Sequence, residues 1–383
     1  MAETSSLLHV IVTIGIFLFA AKLLSTAFHR IRQPAVLGEI IAGIIIGPFA
    51  LGGLLVIDGQ PLVVLDETVL HVGEIAAIII LFVAGMQTTP REFLRLGVPS
   101  FTVGAMGVIV PFFLGYFVFI TFGLEPLPAI LVATALTATS IAISIQVLIQ
   151  LGRLQSKEGR MILGAAVADD VLGIAVLSVV LSMVREEAVT FNPTDVVLLL
   201  LQILGIYVAL LAASIFLVPR LLNIERLWKP KGGIEAAAAA ACFAVSGIAA
   251  FAGLSPIVGA FAAGMAVTVS KAFHKIREFA EKLDVFFAPL FFSIIGAQVD
   301  LRGINMEVLV LGGIVIAVAI VSKLVGCGLS SLIFIRDRRK ATRIGIGMIS
   351  RGEVGLIVAA AGASSGVLSG NLYTTVVMMV AAT

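Results

Sequence analysis

The residues best suited to chemistry stand where an apolar chain should tolerate them least. Asp169 and Asp170 are adjacent in the run Ala166-Val-Ala-Asp-Asp-Val-Leu-Gly173. Lys323 interrupts a second apolar run, Arg351 and Glu353 a third, and Thr137-Ala-Thr139-Ser140 sets three hydroxyls in a fourth. Neighbouring helical residues diverge by about 100°, so one partner cannot face both aspartates. Two adjacent carboxylates in low dielectric cannot both ionise comfortably. Such a pair can hold a proton under one condition and a small cation under another, and hydroxyls supply further oxygens of the kind hard cations take. Three acids and two bases nearly cancel, which predicts mutual pairing. The plainer readings are ion pairs that only fix helix register and hydroxyls that bond back to their own carbonyls.

The elements that must position these groups are membrane helices. Of 383 residues, 60% are hydrophobic and 13% charged, against about 25% charged in a soluble domain. The net charge of +2 gives no basis for nucleic-acid binding, and Cys242 and Cys327 lie too far apart in sequence to suggest a disulfide framework or a zinc site. Thirteen runs approach the roughly 20 apolar residues that cross a bilayer: 7–28, 35–51, 69–87, 100–122, 127–150, 161–184, 194–222, 234–252, 255–270, 283–299, 306–335, 341–366 and 371–383. The expected fold is all-α and polytopic. The first run lacks the basic start and cleavage site of a signal peptide and reads as a retained helix; the last stops mid-span at Thr383, as a truncated chain would. Asp169 and Asp170 fall about ten residues past Arg160, at a depth near 15 Å. Lys323, Arg351 and Glu353 reach a similar level from Arg336 and Arg343.

The loops support this count. Twenty of the 25 basic residues fall in the loops after spans 1, 3, 5, 7, 9 and 11, and the alternate loops hold only Arg185 and Arg302. Basic residues collect on the cytoplasmic side, so the expected amino terminus is outside and the carboxyl end cytoplasmic. Two segment pairs also resemble each other seven spans apart. Pro34-Ala-Val-Leu-Gly38 with Ala42-Gly43 matches Pro256-Ile-Val-Gly259 with Ala263-Gly264; Phe82-Val-Ala-Gly85-Met-Gln87 matches Phe292-Ser-Ile-Ile-Gly296-Ala-Gln298. An odd offset means opposite orientation, so spans 2–6 and 9–13 are expected to form an inverted repeat of the transporter kind.

Other patterns carry less. Gly362-Ala-Ser-Ser-Gly366 imitates a nucleophile elbow but follows no strand. Gly259 to Gly264 has Walker-like spacing without the following Lys-Ser/Thr. Four scattered histidines show no metal spacing. Glu39 and Glu74 lie nearer span ends, where a solvated position is expected.

Together, Gln33-Pro-Ala-Val-Leu-Gly-Glu39 with Ala42-Gly43 and Gly47-Pro48, the Asp169-Asp170 run, Val321-Ser-Lys323, and Ser350-Arg-Gly-Glu-Val-Gly-Leu356 resemble the NapA-type sodium/proton antiporters of the monovalent cation:proton antiporter superfamily. The resemblance implies a mobile core of spans 4–6 (100–184) and 11–13 (304–383). It implies a dimerising scaffold of spans 1–3 (1–99) and 8–10 (232–303), with span 7 (185–231) as linker. Spans 5 and 12 should be discontinuous and cross. Asp170 would bind the cation (Na+) or proton, Asp169 would pair with Lys323, and Thr137, Thr139 and Ser140 would lie beside the site. Arg351 and Glu353 would be accessory charges; Gln87 stands where relatives often carry an acid. The implied activity is electrogenic exchange of protons for a monovalent cation, most simply Na+, serving pH homeostasis. The chain would be a homodimer in a prokaryotic plasma membrane, and not an enzyme. No cofactor is implied beyond the transported ions. A K+/H+ exchanger of the same fold is the nearest alternative and a cation channel a more distant one. An intramembrane aspartyl protease would need its two aspartates on different helices.

Overall fold

The computed structural model describes residues 2–31, 33, 35–57, 60–87, 89–91, 97–186, 193–224, 230–300, 302, 306–351, 355, 358–359, 362–363 and 365–383. Among them, every one of the thirteen expected spans carries helix. Spans 1 to 4 are α1 (Ala2–Arg30), α2 (Ala35–Ile46), α4 (Glu67–Gly85) and α5 (Gly97–Thr121). A short α3 (Leu51–Leu54) and a two-residue antiparallel ladder, β1 (Val56–Ile57) with β2 (Gln60–Pro61), follow α2. Span 5 is split into α6 (Pro126–Thr137) and α7 (Ile141–Gln150). Spans 6 to 10 are α8 (Lys157–Glu186), α9 (Pro193–Leu222), α10 (Gly233–Phe251), α11 (Pro256–Val267) and α12 (Phe273–Ala297). Span 11 runs as α13 (Met306–Lys323), a π-helical turn (Leu324–Leu329) and α14 (Ser330–Ile335). Span 12 opens with α15 (Arg338–Gly347), and span 13 is α16 (Gly370–Ala382).

Local chemistry sets the ends. Asp66 accepts from Val69 N at 2.8 Å and starts α4; Asp337 accepts from the N–H groups of Arg339 and Lys340 and starts α15. Pro126 and Pro256 open α6 and α11, where the missing N–H is no loss. Each follows a left-handed glycine three residues earlier, Gly123 at φ 85° and Gly253 at φ 80°.

Among the described residues, eight of the spans are long and apolar enough to cross a bilayer, α2 counted with α3, α6 with α7, and α13 with α14. Their outward faces are apolar too: Phe251 is 96% exposed and Phe19 74%. Water would strip such a surface together, whereas lipid accepts it.

Inside, the helices fall into two packing groups. In one, α2 lies on α1 and α12, α4 on α11 and α12, and α10 on α11. In the other, α5 lies on α6 and α8, α13 on α5 and α16, and α15 on α8 and the π-helical turn. Helix α9 touches α8 from the second group and α10 and α11 from the first.

The α2–α12 and α4–α11 crossings are built alike. A side chain on Gly43 would strike Ser293 O, and one on Gly296 would strike Ile40 O. Likewise, a side chain on Gly264 would strike Phe82 O and one on Gly85 would strike Phe261 O. Gly43 and Ile40 each lie 221 residues before Gly264 and Phe261, while Gly85 and Phe82 each lie 211 before Gly296 and Ser293. Small residues let membrane helices approach until their backbones touch, and here the same spacing does so twice.

Candidate functional site

The break in span 5 leaves the carbonyls at the end of α6 without the N–H groups a continuing helix would supply. Ala138 is extended, at ψ 136°, and Ser140 begins α7 by accepting from Ile143 N at 3.4 Å. Span 12 breaks at the same place. Beyond Gly347, residues 348–351 are out of helix, and the two breaks bond directly. Ser140 N donates to Ser350 O at 2.9 Å, and Thr139 Oγ1 donates to Met348 O at 3.3 Å. Ser144 Oγ donates to Gly347 O at 2.7 Å. Its Oγ also lies 2.7 Å from Ser350 Oγ, which in turn reaches Ser140 O at 3.2 Å. Spans 5 and 12 are therefore discontinuous and cross, as the resemblance implied.

Two cations serve the orphaned carbonyls. Lys323 Nζ, at 0% exposure, donates to Thr137 O and Gly107 O at 2.7 Å each and to Asp169 Oδ1 at 2.9 Å. Its three protons are thus all placed. Arg351 Nη1 donates to Ala138 O at 2.7 Å and Nη2 to Ala319 O at 3.5 Å. Both cations sit at the carboxyl end of α6, where the helix dipole is negative. The expected mutual pairing therefore holds for Lys323 with Asp169. Arg351 instead binds carbonyls, because the break exposes them beside it; Glu353 lies outside the described residues.

Asp169 and Asp170 diverge, as adjacent helical residues must. Asp169 is fully buried against Lys323, and its Oδ2 has no hydrogen-bond partner. Asp170 is half-buried, with Tyr207 of α9 within electrostatic reach. Of the expected hydroxyls, Thr137 Oγ1 bonds back to Thr134 O at 2.8 Å, while Thr139 and Ser140 join the crossing.

Several working residues carry no signal of their own in the sequence. Gly107 lends a carbonyl to Lys323 and leaves room for the pair: a Cβ there would lie 2.7 Å from Cys327 Sγ and 3.2 Å from Asp169 Oδ1. Ser144 is legible only as one more hydroxyl four residues past Ser140. Glu39 corrects an expectation, being 5% exposed rather than solvated, because α1 and α12 close over α2. Glu74 is exposed, as expected, and Gln87 gives its carbonyl to Gln155 Nε2 at 2.6 Å. At the span ends, Arg343 donates to Glu158 at 3.2 Å and ties the start of α8 to α15. The backbone N–H at the head of α8, more than Arg343, holds the Glu158 carboxyl below its ordinary range.

A family model described as "Sodium/hydrogen exchanger, transmembrane" matches residues 15–383. The chain belongs to that family. Similar sodium/hydrogen exchangers include the high-affinity Na(+)/H(+) antiporter NhaS3 of Synechocystis, 33% identical over 98% of this chain and 87% of that protein. The Na(+)/H(+)-K(+) antiporter GerN of Bacillus cereus is 31% identical over 96% and 91%. The potassium-efflux protein KefC of an Enterobacter species is 30% identical over 76% of this chain but only 45% of its own length. Among solved structures, the sodium proton antiporter MjNhaP1 of Methanocaldococcus jannaschii superposes with a TM-score of 0.68 at 16% identity, over 98% and 94% of the two chains. That likeness shows that this sodium/hydrogen exchanger shares its fold.

Proposed function

We propose that the protein is an electrogenic secondary antiporter of the NapA type, exchanging protons for Na+ by alternating access. The observation that carries this reading is Asp170, half-buried and next in the chain to Asp169, whose fully satisfied partner Lys323 donates to the end of the broken α6. Asp170 takes a cation or a proton but not both, and that competition couples the two fluxes. Lys323 releases a second proton when a bound cation draws Asp169 away from it, so two protons move against one cation. The membrane potential then contributes about 2.3 kcal/mol per net charge per 100 mV.

The two packing groups support a core (100–184 and 304–383) that moves against a scaffold (1–99 and 232–303), with residues 185–231 linking them. The paired glycine crossings support the inverted repeat. In this reading the scaffold forms a homodimer in a prokaryotic plasma membrane, with the amino terminus outside. A second reading, K+/H+ exchange, draws on the printed K(+) of GerN and on KefC; neutral oxygens and one carboxylate do not by themselves separate the two ions.

Proteoliposomes carrying an internal pH dye, challenged with Na+, K+ or Li+ in turn, decide the ion. Asp170→Asn keeps the side-chain volume and removes the charge. It is expected to abolish cation-dependent proton movement while the protein still folds. Robust Na+-driven proton efflux by a folded mutant would refute the assignment of Asp170.

A further inference from the structure

Between α5, α8 and α9 lies a cavity of about 130 Å³ that the mechanism above leaves unused. Gly97, Ser100 and Phe101 line it from α5, Gly164, Val167 and Ala168 from α8, and Leu204 and Tyr207 from α9. It has room for several waters. Tyr207 is 7% exposed, and its hydroxyl is buried with no hydrogen-bond partner. Ser100, the other polar side chain in the lining, already leans on Met161 Sδ at 3.7 Å. The cavity adjoins the turn of α8 that leads into Asp170, whose charge reaches Tyr207. On the lining helices the charges are Asp169, paired with Lys323, Asp170 itself, and groups in the end turns of α8 and α9, while α5, α6, α7 and α11 carry no Asp, Glu, Lys, Arg or His.

A buried hydroxyl without a partner is destabilising, and phenylalanine would fill the same space without that cost. A partner that is present only part of the time resolves the difference. We propose that Tyr207 is a positioning residue of the ion site, whose hydroxyl takes up the hydration shell of the cation as the cation loses water at Asp170. The proposal rests on Asp170 being the ion carboxylate. It gives α9 a share in ion binding as well as a linking role. The cation leaves part of its shell in a cavity off its path, and the Tyr207 oxygen holds that water in place. Bridging waters of this kind are nearly as favourable as direct hydrogen bonds.

The test is Na+-dependent thermal stabilisation of the purified protein, which reads binding without requiring transport. Without Na+, Tyr207→Phe should be at least as stable as the parent, because it removes an unpartnered polar atom. It should need about fivefold more Na+ for half-maximal stabilisation, the factor that one hydrogen bond near 1 kcal/mol provides. A merely structural tyrosine would lower stability without Na+ and leave the Na+ midpoint unchanged. Either a parental midpoint or a loss of stability without Na+ would overturn the proposal. Asp170→Asn, run alongside, should show no Na+ stabilisation. If it responds like the parent, the assignment of Asp170 falls, and this inference with it.

Discussion

The pair at Lys323 and Asp169 makes a quantitative prediction. Both side chains are 0% exposed and 2.9 Å apart. Removing one partner of a buried ion pair leaves an uncompensated charge and costs about 3–5 kcal/mol, whereas replacing both with neutral groups of similar volume is often near neutral. Asp169→Asn should therefore be strongly destabilising. Lys323→Gln should be destabilising as well, since Gly107 O and Thr137 O lose their shared donor. The Lys323→Gln, Asp169→Asn double variant keeps amide donors near those carbonyls and leaves no buried charge. It should lose less than the sum of the singles by about 3 kcal/mol, read from a double-mutant cycle of unfolding in detergent. The same double variant addresses function. If it still exchanges ions, solid-supported-membrane currents should show less charge moved per transported cation, because the second proton carrier is gone. Additive destabilisation would refute the coupling argument. Undiminished charge per cation would show that Lys323 is a brace and that the second proton travels elsewhere.

Two further outcomes follow from the packing and the loops. Gly43→Ala and Gly264→Ala each drive a methyl into a partner backbone carbonyl and should destabilise by about 1–3 kcal/mol, while Gly205→Ala, with nothing within 4 Å, should be neutral in the same melting assay; parental stability in Gly43→Ala would refute the close crossing. A cysteine placed near Asp66 should label from outside intact cells and one near Arg338 only from inside, with little background because Cys242 and Cys327 are buried; labelling of both from one face would refute the thirteen-span topology.

The charged centre was legible because charge in an apolar run is expensive enough to stand out against composition. Depth along the helix then brought Asp169 and Lys323 to one level before any contact was known. Which of the two aspartates pairs with Lys323 was not legible from depth, since Asp170 and Arg351 stand at a similar level; that choice came from the family resemblance. Arg351 was legible as a buried charge but not as a carbonyl ligand. Its partners, Ala138 O and Ala319 O, are backbone atoms freed or approached only once span 5 breaks and span 11 packs beside it. The backbone is the same at every position, so no residue type announces such a partner. The same limit hid Gly107, whose contribution is a carbonyl and an absent side chain. The π-helical turn at Leu324–Leu329 follows Lys323 directly. It carries Cys327, whose Sγ donates to Val103 O at 3.6 Å, and nothing in the periodicity of an apolar run distinguishes that turn from ordinary helix. Glu39 misled because distance from a span end measures depth along one helix, not cover by its neighbours.

These bonds also bear on which part must move in the proposed cycle. Lys323 joins α13 to α5, α6 and α8 through three charge-assisted contacts, and the serines at 140, 144 and 350 tie α7 to span 12. Separating any two of these elements would strand a buried charge or several carbonyls, at a cost of several kcal/mol. The ties from this group to the other are of a different kind. Gln146 Nε2 donates to Asp284 at 3.2 Å, Gln150 Oε1 accepts from Ala35 N at 2.7 Å, and Gln155 Nε2 donates to Gln87 O at 2.6 Å. All three come from one end of span 5 and the loop after it. The Gln150 and Gln155 bonds are exposed, so water can replace each of them at about 1 kcal/mol or less, and the half-buried Gln146 bond to a carboxylate costs about 1.5–3 kcal/mol. Among the described residues, the polar contacts that hold the ion centre together are thus the costly ones, while the polar ties to its surroundings are cheaper and the remaining contact is apolar packing, which is non-directional. A transition that must expose Asp170 first to one side and then to the other follows the cheap set, carrying the crossing, Lys323 and both aspartates as one body.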